Sequence, residues 1–367
     1  MSSIMSVDVQ QWSYNLTNLS DINQTIELNV DINDRVDVAS YSAIVCLSFL
    51  FFVIGSIGIV GNLLVIYAIL SDKRMRRSVT NLLLMNLAVS DFINMVVCIP
   101  DIIQFIENHG WRLGLPLCKV LRFTEVFALY ASVMTLVSVC IERYIAIIHP
   151  ITAHILCCRV RILIIIGCIW PLAMACASPN LIFHILSTDH PDFTPCISKF
   201  PSPVDFFIFK YIESALFYLI PLFLQVTLYV RIGRKLFRPE ALRSIEPSIG
   251  KENYAGTMKA RRGVVKMLIA GVTVYFVSFS PHQILLVYNT FSKTKFQENW
   301  PFLIFVNIMA YASSACNPLL YSIFCQKFRQ KFRSVLFCGD SSDKSPPTIN
   351  LKSRNRNKSL KTTVSEV

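Results

Sequence analysis

Charged side chains are scarce: 16% of the 367 residues are Asp, Glu, Lys or Arg, against 53% hydrophobic. Soluble domains carry about a quarter charged residues. The deficit is concentrated in long uncharged stretches, which excludes an ordinary soluble domain and marks a polytopic membrane protein. Short alternating apolar segments are missing, so a β-barrel is excluded too. The twelve cysteines lie mostly inside apolar runs, without metal-ligand spacing. No apolar h-region opens the chain, so no cleaved signal peptide is expected.

What is there is a series of seven apolar runs: 41–70, 79–106, 119–148, 162–186, 206–230, 267–291 and 300–324. Crossing a bilayer takes about 20 helical residues, and backbone groups in lipid must be satisfied internally, so the runs are expected to be helices. The fold class is an all-α membrane protein. The loops set its orientation. Lys73, Arg74, Arg76, Arg77, Arg159, Arg161, Arg231, Arg234, Lys235, Lys259, Arg261, Arg262 and Lys266 fall on one side, as do Lys327 and Arg329. The positive-inside rule makes that side cytoplasmic. The formal charge of +12 therefore reflects topology and attraction to anionic membrane lipid, not a nucleic-acid site.

Residues 1–40 are expected outside, with glycosylation sequons at Asn15, Asn18 and Asn23. Residues 41–325 form the bundle, and 326–338 a short amphipathic helix on the inner membrane face, where Phe324, Phe328 and Phe332 recur between cations. Residues 339–367 read as a disordered tail. Cys338 is a candidate for palmitoylation or a free thiol. Ser365-Glu366-Val367 fits a carboxylate-terminal PDZ ligand, a pattern three residues often match by chance. On the oxidising side stand Cys118 and Cys196, which are paired here as a disulfide.

Polar and helix-breaking residues stand within the runs: Gly58-Ile59-Val60-Gly61-Asn62, Leu87-Ala88-Val89-Ser90-Asp91, Trp170, Pro221, Tyr229, Pro281 and Asn317-Pro318-Leu319-Leu320-Tyr321. The third run ends in Glu142-Arg143-Tyr144, which alone reads equally as an interfacial anchor. With Cys118 and Cys196, this ordered set resembles the rhodopsin-like family of G-protein-coupled receptors from about residue 41 to 338. The resemblance implies a seven-transmembrane bundle with an eighth helix, which is no enzyme. It also implies a heterotrimeric G protein as partner, with arrestin and receptor kinase.

The resemblance gives roles to residues. Asp91 is implied to join a hydrated cavity with Ser132 and Asn317, with Asn62 a further candidate; such a cavity often holds a sodium ion, and no other cofactor is expected. Glu142 is implied to hold Arg143 at rest, and Tyr144, Tyr229, Pro281, Pro318 and Tyr321 to serve activation. Two departures stand out. Cations replace the acid that many relatives place at the inner end of the sixth helix, so Arg143 has Glu142 alone and basal activity is expected to rise. Ser278-Phe279-Ser280-Pro281 replaces Cys-Trp-x-Pro, so Phe279 keeps an aromatic face but loses the indole donor.

The second inner loop and the proline-bearing second outer loop are similar to the thyrotropin-releasing-hormone, neuromedin U and neurotensin receptor group, which implies a neuropeptide ligand under a hairpin lid. Residues 300–326 contain no lysine for a retinal Schiff base. The candidate ligand residues are Gln104, Glu125, Leu129, Phe279, His282, Gln283, Tyr288, Asn307 and Tyr311. Glu125 is expected to meet a cationic group, with Asp101, Glu107 and Glu213 steering it. An amine receptor is the alternative reading. A transporter is the rival from another class, but inverted repeats are not evident.

Overall fold

The computed structural model describes residues 41–107, 111–187, 194–236, 251–292 and 300–336. The long helices are α1 (Tyr41–Ser71), α2 (Val79–Glu107), α3 (Gly114–Ile148), α4 (Arg159–Ala177), α5 (Pro203–Leu236), α6 (Lys251–Phe291), α7 (Trp300–Phe324) and α8 (Gln326–Leu336). Stretches of α1 to α6 are each long and apolar enough to cross a membrane, and α7 meets α8 at 104°. On α8, Phe328 and Phe332 are buried while Lys327 and Arg329 are exposed, as the amphipathic spacing predicts.

Several boundaries differ from the apolar runs, and α5 runs past its own at both ends, 203–236 against 206–230. The fourth run extends to 186, but α4 ends at Ala177, and Pro179 opens a separate helical turn, Pro179–Phe183. His184–Leu186 is then a strand, β1, paired antiparallel with β2 (Cys196–Ser198), the expected hairpin. The apolar run continues past the Ser178-Pro179-Asn180 break because Leu181-Ile182-Phe183 and Ile185-Leu186 follow it, in a turn and a strand that are largely buried or half-buried. The third helix starts at Gly114, and the sixth at Lys251, well before its apolar part, because polar residues can continue a helix past the bilayer. The Cys118–Cys196 disulfide fastens β2 to the start of α3.

The core runs along α3. Val126, Tyr130, Val133, Leu136 and Val139 are buried among residues such as Leu83, Leu87, Ile169 and Phe217 of α2, α4 and α5. Trp170 donates its indole N–H to Asn86 Oδ1 at 3.0 Å, and Asn86 donates to Thr135 Oγ1 at 2.7 Å, linking α4, α2 and α3.

Two prolines shape the bundle through the carbonyls they leave without a helical donor. Pro221 has no N–H for the carbonyl of Phe217, four residues earlier, and the Tyr275 hydroxyl of α6 donates to it at 3.1 Å. Ala215–Leu219 widens there into a π turn. Pro318 likewise leaves the carbonyl of Ser314, to which Asn62 Nδ2 of α1 donates at 3.3 Å. Close approach makes this possible: a Cβ on Gly61 would stand 2.8 Å from Pro318 Cβ.

Candidate functional site

One stripe of α3 carries Cys118, Arg122, Glu125, Leu129, Ser132 and Leu136, spaced by three or four residues and all buried. At its middle lies a polar cluster. Asp91 Oδ1 accepts from Ser132 Oγ at 3.0 Å and from Ser314 Oγ at 3.1 Å, and Oδ2 accepts from Asn317 Nδ2 at 2.6 Å. Ser132 Oγ also lies 2.9 Å from Ser90 Oγ, and Asn94 Nδ2 donates to Ser314 at 3.3 Å. A small cavity, with room for one water-sized occupant, is lined by Asp91, Leu129, Ser132, Gly271, Ser314 and Asn317 among others.

This geometry revises the expected cluster. Asn62 reaches the Ser314 and Gly58 carbonyls rather than Asp91. Asn317 donates its amide nitrogen to Asp91 Oδ2, and its Oδ1 stands beside Gly271, another residue lining the cavity. Ser314, which sequence reasoning passed over, adds a hydroxyl to the cluster. One carboxylate with serine oxygens around a small cavity is an all-oxygen set that fits a hard cation of low charge.

Toward the disulfide, Glu125 is not a lone anion. Arg122, one turn along the stripe, donates Nη1 to Glu125 Oε2 at 3.0 Å, and its guanidinium carbon lies 6.0 Å from the Trp111 ring centroid. Among the other ligand candidates, Phe279, His282 and Asn307 are buried. The Phe279 ring lies 4.8 Å from Tyr275, and His282 is 6.5 Å from Phe279. Gln283 Oε1 accepts from Ser214 Oγ of α5 at 2.6 Å. Three more candidates have the following surroundings. Leu129 lines the Asp91 cavity, and Tyr311 packs with Phe51, Met95 and Cys98. Tyr288 is exposed with Ile284 and Phe291, the i, i+4, i+7 outward stripe of α6, so helical phase turns it away from the bundle. The side chain of Gln104 lies outside the described residues.

Glu213 is likewise paired, to Lys210 at 2.9 Å, and those two also escaped sequence reasoning as a unit. His184 opens β1, with Nδ1 2.8 Å from the Asn180 carbonyl. Its burial, reinforced by the Arg122 and Lys210 cations, pushes the imidazole down to about 3.

At the opposite, basic end, Arg143 forms a two-point salt bridge with buried Glu142, which also accepts from Thr80 Oγ1 of α2 at 3.3 Å. Tyr144 is half-buried, its ring 5.8 Å from His149. Tyr229 and Tyr321 are both buried, and Tyr321 lies 5.4 Å from Phe328 of α8. Among the described residues, no acid of α6 reaches Arg143. Instead Lys235 Nζ of α5 donates to the carbonyl of Ile148, the last residue of α3, at 3.0 Å. Arg262 Nη2 of α6 donates to the Leu236 carbonyl of α5 at 3.2 Å.

A membrane bundle with a disulfide-pinned hairpin at one end, a mid-bundle carboxylate cluster and an arginine salt bridge at the other defines a class of receptor. Residues 61–321 match the family described as 7 transmembrane receptor (rhodopsin family), and the chain belongs to that family. It is 35% identical over 306 residues to neuropeptide receptor 15 of Caenorhabditis elegans, covering 78% of this chain and 89% of the relative. It is 31% identical over 329 residues to the thyrotropin-releasing hormone receptor of Gallus gallus, covering 84% and 82%. The allatostatin-A receptor of Bombyx mori is 30% identical over 323 residues, covering 84% and 82%. The protein is thus a multi-pass membrane receptor, similar to neuropeptide receptors.

Proposed function

We propose that the chain is a plasma-membrane receptor for an extracellular peptide and catalyses nucleotide exchange on a heterotrimeric G protein. The Glu142–Arg143 bridge at the basic end of α3 carries this reading. In this reading the restrained arginine faces the cytoplasm, the side the positive-inside rule assigns to the basic loops, and the amino terminus is outside. Peptide binding at the disulfide end would reshape the packing of Phe279 on Tyr275, swing the inner end of α6 outward about Pro281, and free Arg143 for the G protein. Asp91, Ser132 and Asn317, joined by Ser314, would hold a sodium ion that favours the resting arrangement, its charge balanced by the carboxylate.

The peptide reading is supported by the names of the relatives. In the amine reading an ammonium would share Glu125 with Arg122, which already bonds its Oε2. Arrestin and receptor kinase, glycans on Asn15, Asn18 and Asn23, a lipid on Cys338 and a PDZ partner at Ser365-Glu366-Val367 are further expectations; those residues lie outside the described ones. The test is nucleotide exchange on purified G proteins, with calcium and cyclic-nucleotide readouts in cells, against a neuropeptide library. A response confined to small amines would overturn the peptide assignment, and ligand binding without exchange on any G protein would overturn the signalling one.

A further inference from the structure

We propose that two tyrosines join α5 and α6 with different duties: Tyr218 holds the pivot about which α6 turns, and Tyr275 is the catch that lets go when it does. The inference rests on the receptor reading above and makes both of them positioning residues for nucleotide exchange. Their bonds run in opposite directions. Tyr275 of α6 donates its hydroxyl to the Phe217 carbonyl of α5 at 3.1 Å. Tyr218 of α5 meets Ser280 Oγ of α6 at 2.7 Å. Ser280 Oγ in turn donates to the Phe276 carbonyl at 2.7 Å, so the Tyr218 hydroxyl is the donor in that pair. It also lies 3.4 Å from the same carbonyl. Both hydroxyls belong to membrane-spanning helices, where a broken hydrogen bond has little water to replace it.

The catch has a firm seat on both sides. The Phe217 ring stacks on Tyr130 of α3 with centroids 3.7 Å apart, and Pro221 has no N–H to compete for the Phe217 carbonyl. The Tyr275 ring is buried against Phe276 and Phe279, at 5.1 and 4.8 Å, so it moves with its own helix. The break in the α6 ladder spans Val277 to Pro281, with Phe279 at its middle. Tyr275 stands four residues from that middle, about 6 Å along the axis, and Ser280 one residue, about 1.5 Å. A turn of about 20° there shifts Tyr275 by about 2 Å and Ser280 by about 0.5 Å. The larger shift carries the 3.1 Å bond beyond hydrogen-bond reach, while half-buried Tyr218 can follow the smaller one. The Tyr218 bond is thus made in both arrangements of α6, and the Tyr275 bond only at rest.

The experiment compares Tyr275→Phe with Tyr218→Phe, each of which keeps its ring and loses one interhelical hydroxyl. The full-length purified receptor, without ligand, carries a distance probe between the inner ends of α3 and α6, and thermal unfolding is read alongside. Both variants are expected to unfold at a lower temperature than the wild type. Tyr275→Phe alone is expected to enlarge the population with the inner ends apart, by about threefold, the factor an average interhelical hydrogen bond in a membrane is worth. Its ligand-free nucleotide exchange is expected to rise by the same factor. Tyr218→Phe is expected to keep both at the wild-type level, a difference that a merely structural role for the two hydroxyls would not produce. A wild-type distance population in Tyr275→Phe would overturn the catch, and an equal shift in Tyr218→Phe would overturn the division of duties. Separated inner ends in Tyr275→Phe, without exchange on any G protein, would support the catch and count against the signalling reading alone.

Discussion

Replacing Arg262 by glutamine tests what holds α6 at rest. Among the described residues, no acid of α6 pairs with Arg143. The observed tie is instead Arg262 Nη2 to the Leu236 carbonyl, 3.2 Å, at a half-buried site. A hydrogen bond from a charged donor contributes about 1.5–3 kcal/mol when well shielded. Partial exposure and salt screening reduce this to about 1 kcal/mol. Removing it from the resting state alone multiplies the active-to-resting ratio by roughly five. A receptor about 1% active without ligand would become about 5% active, within the range of ordinary minor states. The assay is ligand-free nucleotide exchange, normalised to surface receptor, with a distance probe between the inner ends of α3 and α6 as a readout that needs no G protein. Arg262→Lys keeps a charged donor and should stay near wild type. Unchanged basal exchange and unchanged distance in Arg262→Gln, at normal expression, would refute the reasoning.

Other outcomes follow from the same geometry. Asn86→Leu strands the Trp170 indole N–H; interhelical bonds in membranes average only about 0.6 kcal/mol, but an orphaned donor raises the cost to about 1–2 kcal/mol, read as a thermal-stability loss of a few degrees. His184 has its folded pKa lowered to about 3 from an ordinary 6.5, so its contribution is full above 6.5 and is lost as pH falls toward 3. Between pH 6.5 and 5 its part of the stability should fall by up to about 1.4 kcal/mol per pH unit, a slope that His184→Phe should flatten relative to wild type. Sodium chloride should raise the unfolding temperature of the wild type more than potassium chloride does. That difference should vanish in Asp91→Asn and shrink in Ser314→Ala; a difference that survives both substitutions would exclude the site.

Much of this was legible in the sequence for physical reasons. Membrane helices announce themselves by length and hydropathy, and the Asp91 cluster by the cost of a mid-membrane acid. What escaped had weaker signals. Arg122 lies three residues from Glu125, a spacing that pairs side chains on one helix face, so that bridge was available from the i, i+3 rule alone. Ser314 and Thr80 were not: hydroxyls on helices distant in sequence become partners only through packing. The end of α4 was hidden because β1 is as apolar as a helix end. Tyr288 was legible as well: the outward stripe runs in phase through Pro281, from Val277 to Ile284, Tyr288 and Phe291, so counting along α6 from buried Phe279 would have put it there.

The carbonyls left by the prolines bear on which helix is free to bend. In α5 and α7 the gap opposite the proline is closed by a specific side chain from a neighbour, Tyr275 at Phe217 and Asn62 at Ser314. Those two joints are pinned: opening either one breaks a bond between helices. Pro281 leaves the Val277 carbonyl in the same condition, yet among the described residues no side chain reaches it, and Val277 itself is exposed. The sixth helix thus carries an unpinned joint between two pinned ones. Turning that hinge outward nevertheless carries Tyr275 away from Phe217, so motion of the sixth helix is coupled to release of the joint in the fifth.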